Sequence, residues 1–138
     1  MDSLAFIMTT DEVEWSDLKA ALAEDKFDNG RTPEEYQLSH ENSYATVVVR
    51  QADRIVGNGR LLSDGVCNAY LVDIWTAPSL RRQGIGREIV TRLLATVPGQ
   101  HVGLFTDDAS GFYGGLGFAP EVVAMSLVLE PWLGRSQT

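Results

Sequence analysis

Cys67 is the only cysteine in 138 residues, so an internal disulfide is impossible and a cysteine-based metal site is not expected. Histidines are almost as scarce. His40 and His101 lie far apart and without ligand spacing, which points to packing or surface roles and to no bound metal. Positive charge is also short, with 11 Lys and Arg against 19 Asp and Glu, a net charge of −8. Nucleic-acid binders carry a basic surface, so no nucleic-acid partner is expected. The acidity keeps the chain soluble, and it would also concentrate a cationic small molecule. Long hydrophobic runs are missing. Nothing nears the roughly 20 apolar residues that span a bilayer, so no membrane role is expected. Met1 to Met8 has no basic stretch before its apolar residues and does not read as a signal peptide, which gives a cytoplasmic location as the expectation.

What is present is one domain's worth of chain, read as a single domain over residues 1–138, with 44% hydrophobic residues to build a core. Leu4 to Thr9 reads as a first strand. A helix follows from Ser16, taken as its N-cap, to Glu24, with Leu18, Ala21 and Leu22 on one face. Thr32-Pro33-Glu34-Glu35 has the form of a capping box with proline at the first helical position, and that helix should end between Ser39 and Asn42. Tyr44 to Arg50 and Ile55 to Leu62 are strand-like and joined by a turn, and Gly57 and Gly59 suggest a bulge or a close backbone approach. Ala69 to Thr76 is nearly all apolar, as a central strand buried on both faces would be. Gly84 to Val97 carries Ile85, Ile89, Leu93 and Val97 at helical spacing, widened by Val90 and Leu94. His101 to Thr106 reads as a strand, Ala109 to Leu116 as a short helix and Met125 to Leu129 as a last strand. Together these make an α/β mixture, with hairpin-linked strands before a strand–helix–strand unit. Cys67 reads as a small buried hydrophobe.

The most specific local feature is the turn between the apolar strand and the best helix. In Pro78-Ser79-Leu80-Arg81-Arg82-Gln83-Gly84-Ile85-Gly86, glycines allow a close approach to a helix start whose N–H groups lack intrahelical partners. The macrodipole makes that end attractive to phosphate, and Arg81, Arg82 and Arg87 add guanidinium donors. A Walker loop is excluded because no Gly-Lys-Ser/Thr follows. A dinucleotide fingerprint is excluded because Ile89 stands where its third glycine belongs.

Trp75 to Gly86 resembles the first signature of the GNAT family of N-acetyltransferases, with Arg81, Gly84 and Gly86 matching its Arg/Gln-x-x-Gly-x-Gly/Ala core. Phe112-Tyr113-Gly114-Gly115-Leu116-Gly117-Phe118 resembles the family's second signature, one helix and one strand later. The resemblance implies a mixed, mostly antiparallel twisted sheet flanked by about four helices. It also implies a splay between the fourth and fifth strands, Ala69–Thr76 and His101–Thr106. Acetyl-CoA is the implied co-substrate. Its pantetheine arm would pair with the backbone of Ile74, Trp75 and Thr76. Its pyrophosphate would lie on the amides of Arg82, Gln83, Gly84, Ile85, Gly86 and Arg87, beside Arg81.

The implied reaction is direct acetyl transfer to the amine of a small acceptor. Tyr113 matches the tyrosine that protonates the departing thiolate; its alternative is a core aromatic. Asp73 is either an acceptor-side or basic group or the centre of a structural ion pair. Only one of the acidic pair that some polyamine-acetylating members carry is present here, since Val72 stands beside it. Trp75 lines the acceptor pocket or belongs to the core, Glu35 and Tyr36 fall where acceptor choice is set, and Asp107-Asp108 would cap the helix at Ala109. Dimerisation, common in the family, would use Val128 to Leu133 with Trp132. The alternatives to an enzyme are an acetyl-CoA-binding sensor without turnover and an interaction domain without a ligand. Aminoglycosides, polyamines, amino acids, protein N-termini and lysines all fit as acceptors.

Overall fold

A computed structural model describes residues 3–121 and 124–135. The chain divides into two compact units, Met1–Phe105 and Thr106–Thr138. In the first unit the strands β1 (Leu4–Ile7), β2 (Ala45–Gln51), β3 (Arg54–Ser63), β4 (Asn68–Thr76) and β5 (His101–Gly103) form one sheet in the order β1-β2-β3-β4-β5. The first three pairings are antiparallel and β4–β5 is parallel. The helices of this unit are α1 (Trp15–Glu24), α2 (Pro33–Glu41) and α3 (Ile85–Leu94).

The two faces of the sheet are sorted by the alternation of β3. Asn58 points to α2, where it meets His40. Gly57 and Gly59 point the other way, to α3. A Cβ on Gly59 would lie 2.5 Å from Ile89 Cγ2 and one on Gly57 3.1 Å from Ile89 Cδ1. The absence of side chains there lets α3 sit directly on the strand, and Ile85, Ile89, Val90 and Leu93 are buried on that contact. At roughly 1.5–3 kcal/mol for each large apolar side chain removed from water, this stripe fixes α3, and with it the turn that precedes α3. Leu18 and Leu22 of α1, both fully buried, supply the opposite face.

The capping box at α2 forms as expected. Thr32 Oγ1 accepts from the Glu35 N–H at 3.1 Å, and Glu35 Oε1 accepts from the Thr32 N–H at 2.8 Å. The start of α1 differs from expectation. Its N-cap is Glu14, with no side-chain cap bond, and Ser16 lies inside the helix. The bulge suggested by the β3 glycines is present. Asn58 pairs with Trp75 and Arg60 with Val72, so Gly59 opposes the two residues Asp73 and Ile74. Asp73 takes φ +57°, the left-handed conformation that a glycine usually supplies in such bulges. β4 is also less buried than its composition suggests. Only Leu71 and Trp75 are buried, and Tyr70 is 38% exposed.

The parallel pairing of β4 and β5 involves only Asn68, Ala69 and Tyr70, opposite His101, Val102 and Gly103. β5 is thus shorter than His101–Thr106, and beyond Tyr70 the edge of β4 that faces β5 pairs with no described strand, although β3 pairs along the other edge as far as Thr76. This is the expected splay. Cys67, at the start of β4, is exposed, against the expectation of burial. It sits in a tight loop where Asp64 Oδ1 accepts from three successive N–H groups, Val66, Cys67 and Asn68, which keeps the loop at the surface.

In the second unit α4 (Ser110–Gly114) is one short helix. Its entry is held by Thr106 Oγ1, which accepts from the Ala109 N–H at 3.0 Å. The expected cap by Asp107-Asp108 is therefore not formed, because the N-cap position is Ala109. The expected strand Met125–Leu129 does not form, and Met125, Leu127 and Leu129 are more than 80% exposed.

Candidate active site

The phosphate-type turn is built by two left-handed residues. Arg82 has φ +64° and Gly84 φ +88°. Gly84 is the N-cap of α3 and carries no side-chain cap, so the first-turn N–H groups face outward. A Cβ at Gly84 would meet nothing within 4 Å, so the approach to those amides is open. Arg82, Gln83 and Arg87 are exposed around it, while Ile85 is buried and anchors the turn. Arg81 is used differently. Its Nε donates to the Thr76 carbonyl at 3.0 Å and its Nη2 to Asp25 Oδ2 at 2.7 Å. It thus ties the turn to the end of β4 and to α1.

The adjacent edge of β4 has no strand partner, although its Thr76 carbonyl already accepts from Arg81. The Ala77 N–H donates to the Val56 carbonyl, and Gly57 is opposite Thr76. By the alternation of an antiparallel ladder, Trp75 and Ala77 turn their main-chain groups to β3, and Thr76 turns its own to the outer edge. That edge has no β5 partner here.

Asp73 lies on the α2 face in a cluster of charges. Its Oδ2 accepts from Arg31 Nη1 at 2.8 Å and from Arg60 Nε at 2.7 Å, and its Oδ1 from Arg31 Nη2 at 3.2 Å. The three side chains are 9–14% exposed. Burial pushes the carboxyl pKa up, but the hydrogen bonds and charges of Arg31 and Arg60 outweigh it and hold it below the usual carboxylate value. Arg31 also stacks over the Tyr36 ring, 4.3 Å from its centroid. Tyr36 is fully buried, and burial pushes its phenol up to about 12. It therefore offers no surface to an acceptor, and Glu35 is occupied by the capping box. The sequence pattern had no means of linking Arg31 or Arg60 to Asp73, because 42 and 13 residues separate them.

Trp75 is 4% exposed and its indole N–H donates to Asp25 Oδ2 at 2.9 Å. It is a core residue whose edge lines a 440 Å³ cavity beside Asp25, Asp53 and Pro78. In the second unit Tyr113 is half-buried and packs edge-on against Phe112 and Phe118, with centroids 4.9 and 5.7 Å away. Burial raises its phenol pKa, so it is protonated at neutral pH and able to donate. Among the described residues no group of His, Cys, Asp and Glu could hold a metal ion, and no helix is long and apolar enough to cross a membrane.

Comparison with known proteins bears on the family and the fold. The model of the acetyltransferase (GNAT) family matches residues 9–118. A serotonin N-acetyltransferase 2 from Oryza sativa subsp. japonica is 38% identical over 72 residues, a match that takes in 49% of this chain and 36% of that protein. A GNAT-family acetyltransferase from Streptococcus pneumoniae superposes with a TM-score of 0.77 at 23% identity, covering 93% of this chain and 99% of the other. Glucosamine-6-phosphate N-acetyltransferase from Arabidopsis thaliana gives 0.72 at 16% identity, covering 94% and 100%.

Proposed function

Because the chain belongs to the GNAT acetyltransferase family, we propose that it is an acetyl-CoA-dependent N-acetyltransferase acting directly on the amine of a small acceptor. The observation that carries this reading is the pairing of an uncapped helix start at Gly84 with an unpaired β4 edge immediately before it. A phosphate needs convergent N–H donors, and an amide-bearing arm needs a free strand edge. Those two needs meet within the segment 74–87, and the residues fit the co-substrate on that ground. The amides of Arg82 to Arg87 would hold the pyrophosphate, with Arg82 and Arg87 free to add charge. Arg81 contributes by fixing the turn. Ile74 and the Thr76 N–H would form the strand edge for the arm; Trp75, expected there too, turns its main-chain groups to β3 instead.

Acetyl-CoA supplies an acyl group already activated as a thioester. The chain's own part is to orient it, to polarise the carbonyl with β4 N–H groups and to manage protons. The acceptor amine must lose its proton before it can attack. Tyr113 Oη, kept protonated by burial, holds the proton that a departing sulfur requires. Asp73 is a poor base, since two guanidinium groups occupy its oxygens and lower its pKa. The structural alternative for Asp73 is the one its surroundings favour.

The net charge of −8 favours a cationic acceptor over nucleic acid. The reading takes residues 1–138 as one catalytic domain working in the cytoplasm. The exposed Leu127, Leu129 and Trp132 support self-association as a homodimer.

Thermal shift tests the reading first. Acetyl-CoA at 100 times its Kd should stabilise the protein by about 2.7 kcal/mol, and a flat melting curve at millimolar ligand would remove the proposal. An amine panel then separates an enzyme from a binding module without turnover. Tyr113→Phe should keep acetyl-CoA affinity and lose most of kcat; full turnover would end its assignment as the acid.

A further inference from the structure

We propose that Asn58 is a positioning residue for the acyl-carrying arm, acting through the β4 bulge that it clamps. The inference rests on the acetyl-CoA reading above. Asn58 is fully buried on β3, and both ends of its carboxamide are engaged. Nδ2 donates to the Asp73 carbonyl at 3.0 Å, and Oδ1 faces His40 Nε2 at 2.9 Å. A carbonyl can only accept, so the Asp73 contact fixes which way the carboxamide points. Oδ1 is then the acceptor for a His40 Nε2–H. His40, 1% exposed, is fixed on α2 by burial; its Nδ1 lies 2.9 Å from the Tyr36 carbonyl one turn back, a contact that becomes a hydrogen bond only when the ring takes up a second proton. A line of contacts therefore runs from α2 through His40 and Asn58 to the main chain of β4.

Asp73 is held twice, by its carbonyl through Asn58 and by its carboxylate through Arg31 and Arg60. The holding has a purpose, because the residue is in the left-handed region, which a residue other than glycine enters at a cost. Without the clamp, β4 gains by flattening the bulge and sliding one residue along β3. A slip of one residue reverses which groups face each way. Trp75 and Ala77 would then turn their main-chain groups to the open edge, and Thr76 would turn its own to β3. Asn58 thus determines whether the edge donors and acceptors stand where the arm needs them. The turn at Gly84 is anchored chiefly by Ile85 and Ile89 on the other face of the sheet; of its remaining ties, the slip would break only the Arg81 Nε bond to the Thr76 carbonyl and leave Arg81 Nη2 on Asp25.

That separation defines the experiment. Binding of acetyl-CoA and of 3′-phospho-ADP, which has the nucleotide end but no arm, is measured calorimetrically on the wild type and on Asn58→Leu and Asn58→Ser. The wild type should bind both ligands. Each variant should weaken acetyl-CoA about tenfold, the scale of one or two lost main-chain hydrogen bonds, and leave 3′-phospho-ADP within about twofold. Asn58→Ser keeps the test alive if the apolar replacement fails to fold. Equal weakening of both ligands would reduce Asn58 to a general structural role and overturn the proposal, as would no weakening of either. A wild type that binds neither ligand would overturn the acetyl-CoA reading itself, and the positioning role with it.

Discussion

Replacing Asp73 distinguishes a structural centre from a catalytic base. Asp73→Ala removes a carboxylate that accepts three hydrogen bonds, at 2.7, 2.8 and 3.2 Å, from two guanidinium groups. Arg31 and Arg60 are left at 9% and 14% side-chain exposure with no counter-charge from that site. Breaking one partner out of a buried ion pair costs about 3–5 kcal/mol. Alanine at φ +57° adds roughly 1 kcal/mol more, because aspartate tolerates the left-handed region better than alanine does. The expected loss is therefore about 4–6 kcal/mol, a large share of the roughly 5–15 kcal/mol that holds a domain together. Asp73→Asn keeps the shape, the left-handed tolerance and part of the hydrogen bonding, and should lose about half as much. Urea unfolding at pH 7 measures both, with an unchanged m-value as the check that midpoints report stability. A loss under about 1 kcal/mol for Asp73→Ala would refute the structural reading. So would an Asp73→Asn protein that is fully stable and has no turnover, since that pattern belongs to a base. The sign with pH follows from the lowered carboxyl pKa. Stability from Asp73 is complete above its unfolded value, near 3.9, and is lost as pH falls below that towards the folded value.

Other outcomes follow from the packing and the turn. Gly59→Ala would place a Cβ 2.5 Å from Ile89 Cγ2 and 2.9 Å from Ile74 Cδ1. Overpacking of that kind costs about 1–3 kcal/mol and should lower Tm by roughly 3–15 °C; an unchanged Tm would mean that α3 is not seated on β3 as described. Gly84→Ala meets no steric obstacle but carries φ +88°, so about 1–2 kcal/mol of stability should go. The new methyl group at the phosphate approach should also weaken acetyl-CoA in calorimetry, and retained affinity would argue against binding at that turn. Burial pushes the His40 imidazole below its ordinary value, against the hydrogen bonds of Asn58 and Tyr36 and the nearby Asp73, and Arg60 adds to the lowering. The unfolded chain then takes up the proton first, and stability should fall as pH drops below about 6.5 towards the folded value. His40→Gln should flatten that slope between pH 7.5 and 5.5 in urea midpoints, and the same slope in both proteins would refute the assignment.

Elements governed by local chemistry were legible in the sequence. The capping box at Thr32 needs only residues three apart, and α3 needs only an apolar stripe at helical spacing. The turn at Gly84 follows from glycines, arginines and a helix start within nine residues. The two glycines of β3 likewise marked a close approach before its partner, Ile89, could be known. Two misreadings turn on a side chain only three residues away, whose hydrogen bonds composition does not reveal, and a third on a partner that folding does not supply. Cys67 looked apolar enough to bury, yet Asp64 holds its loop at the surface. Asp107-Asp108 looked like a cap, yet Ala109 is the N-cap without a side-chain cap bond, and its N–H goes to Thr106. Met125 to Leu129 has the composition of a strand, but a strand needs an edge to pair with, and composition does not say whether one is available.

By itself the sequence carried the resemblance to the family and the succession of its main helices and strands, and it marked the turn proposed to receive a phosphate, because each rests on residues within one turn or one strand of each other. Only the tertiary structure shows what surrounds Asp73. Its surroundings come from α2 and β3 as well as β4: two guanidinium groups hold its carboxylate and Asn58 holds its carbonyl. An ionisable group takes its character from the charges and donors that folding brings within a few ångströms, and a carboxylate in an apolar strand has none of these in its own sequence.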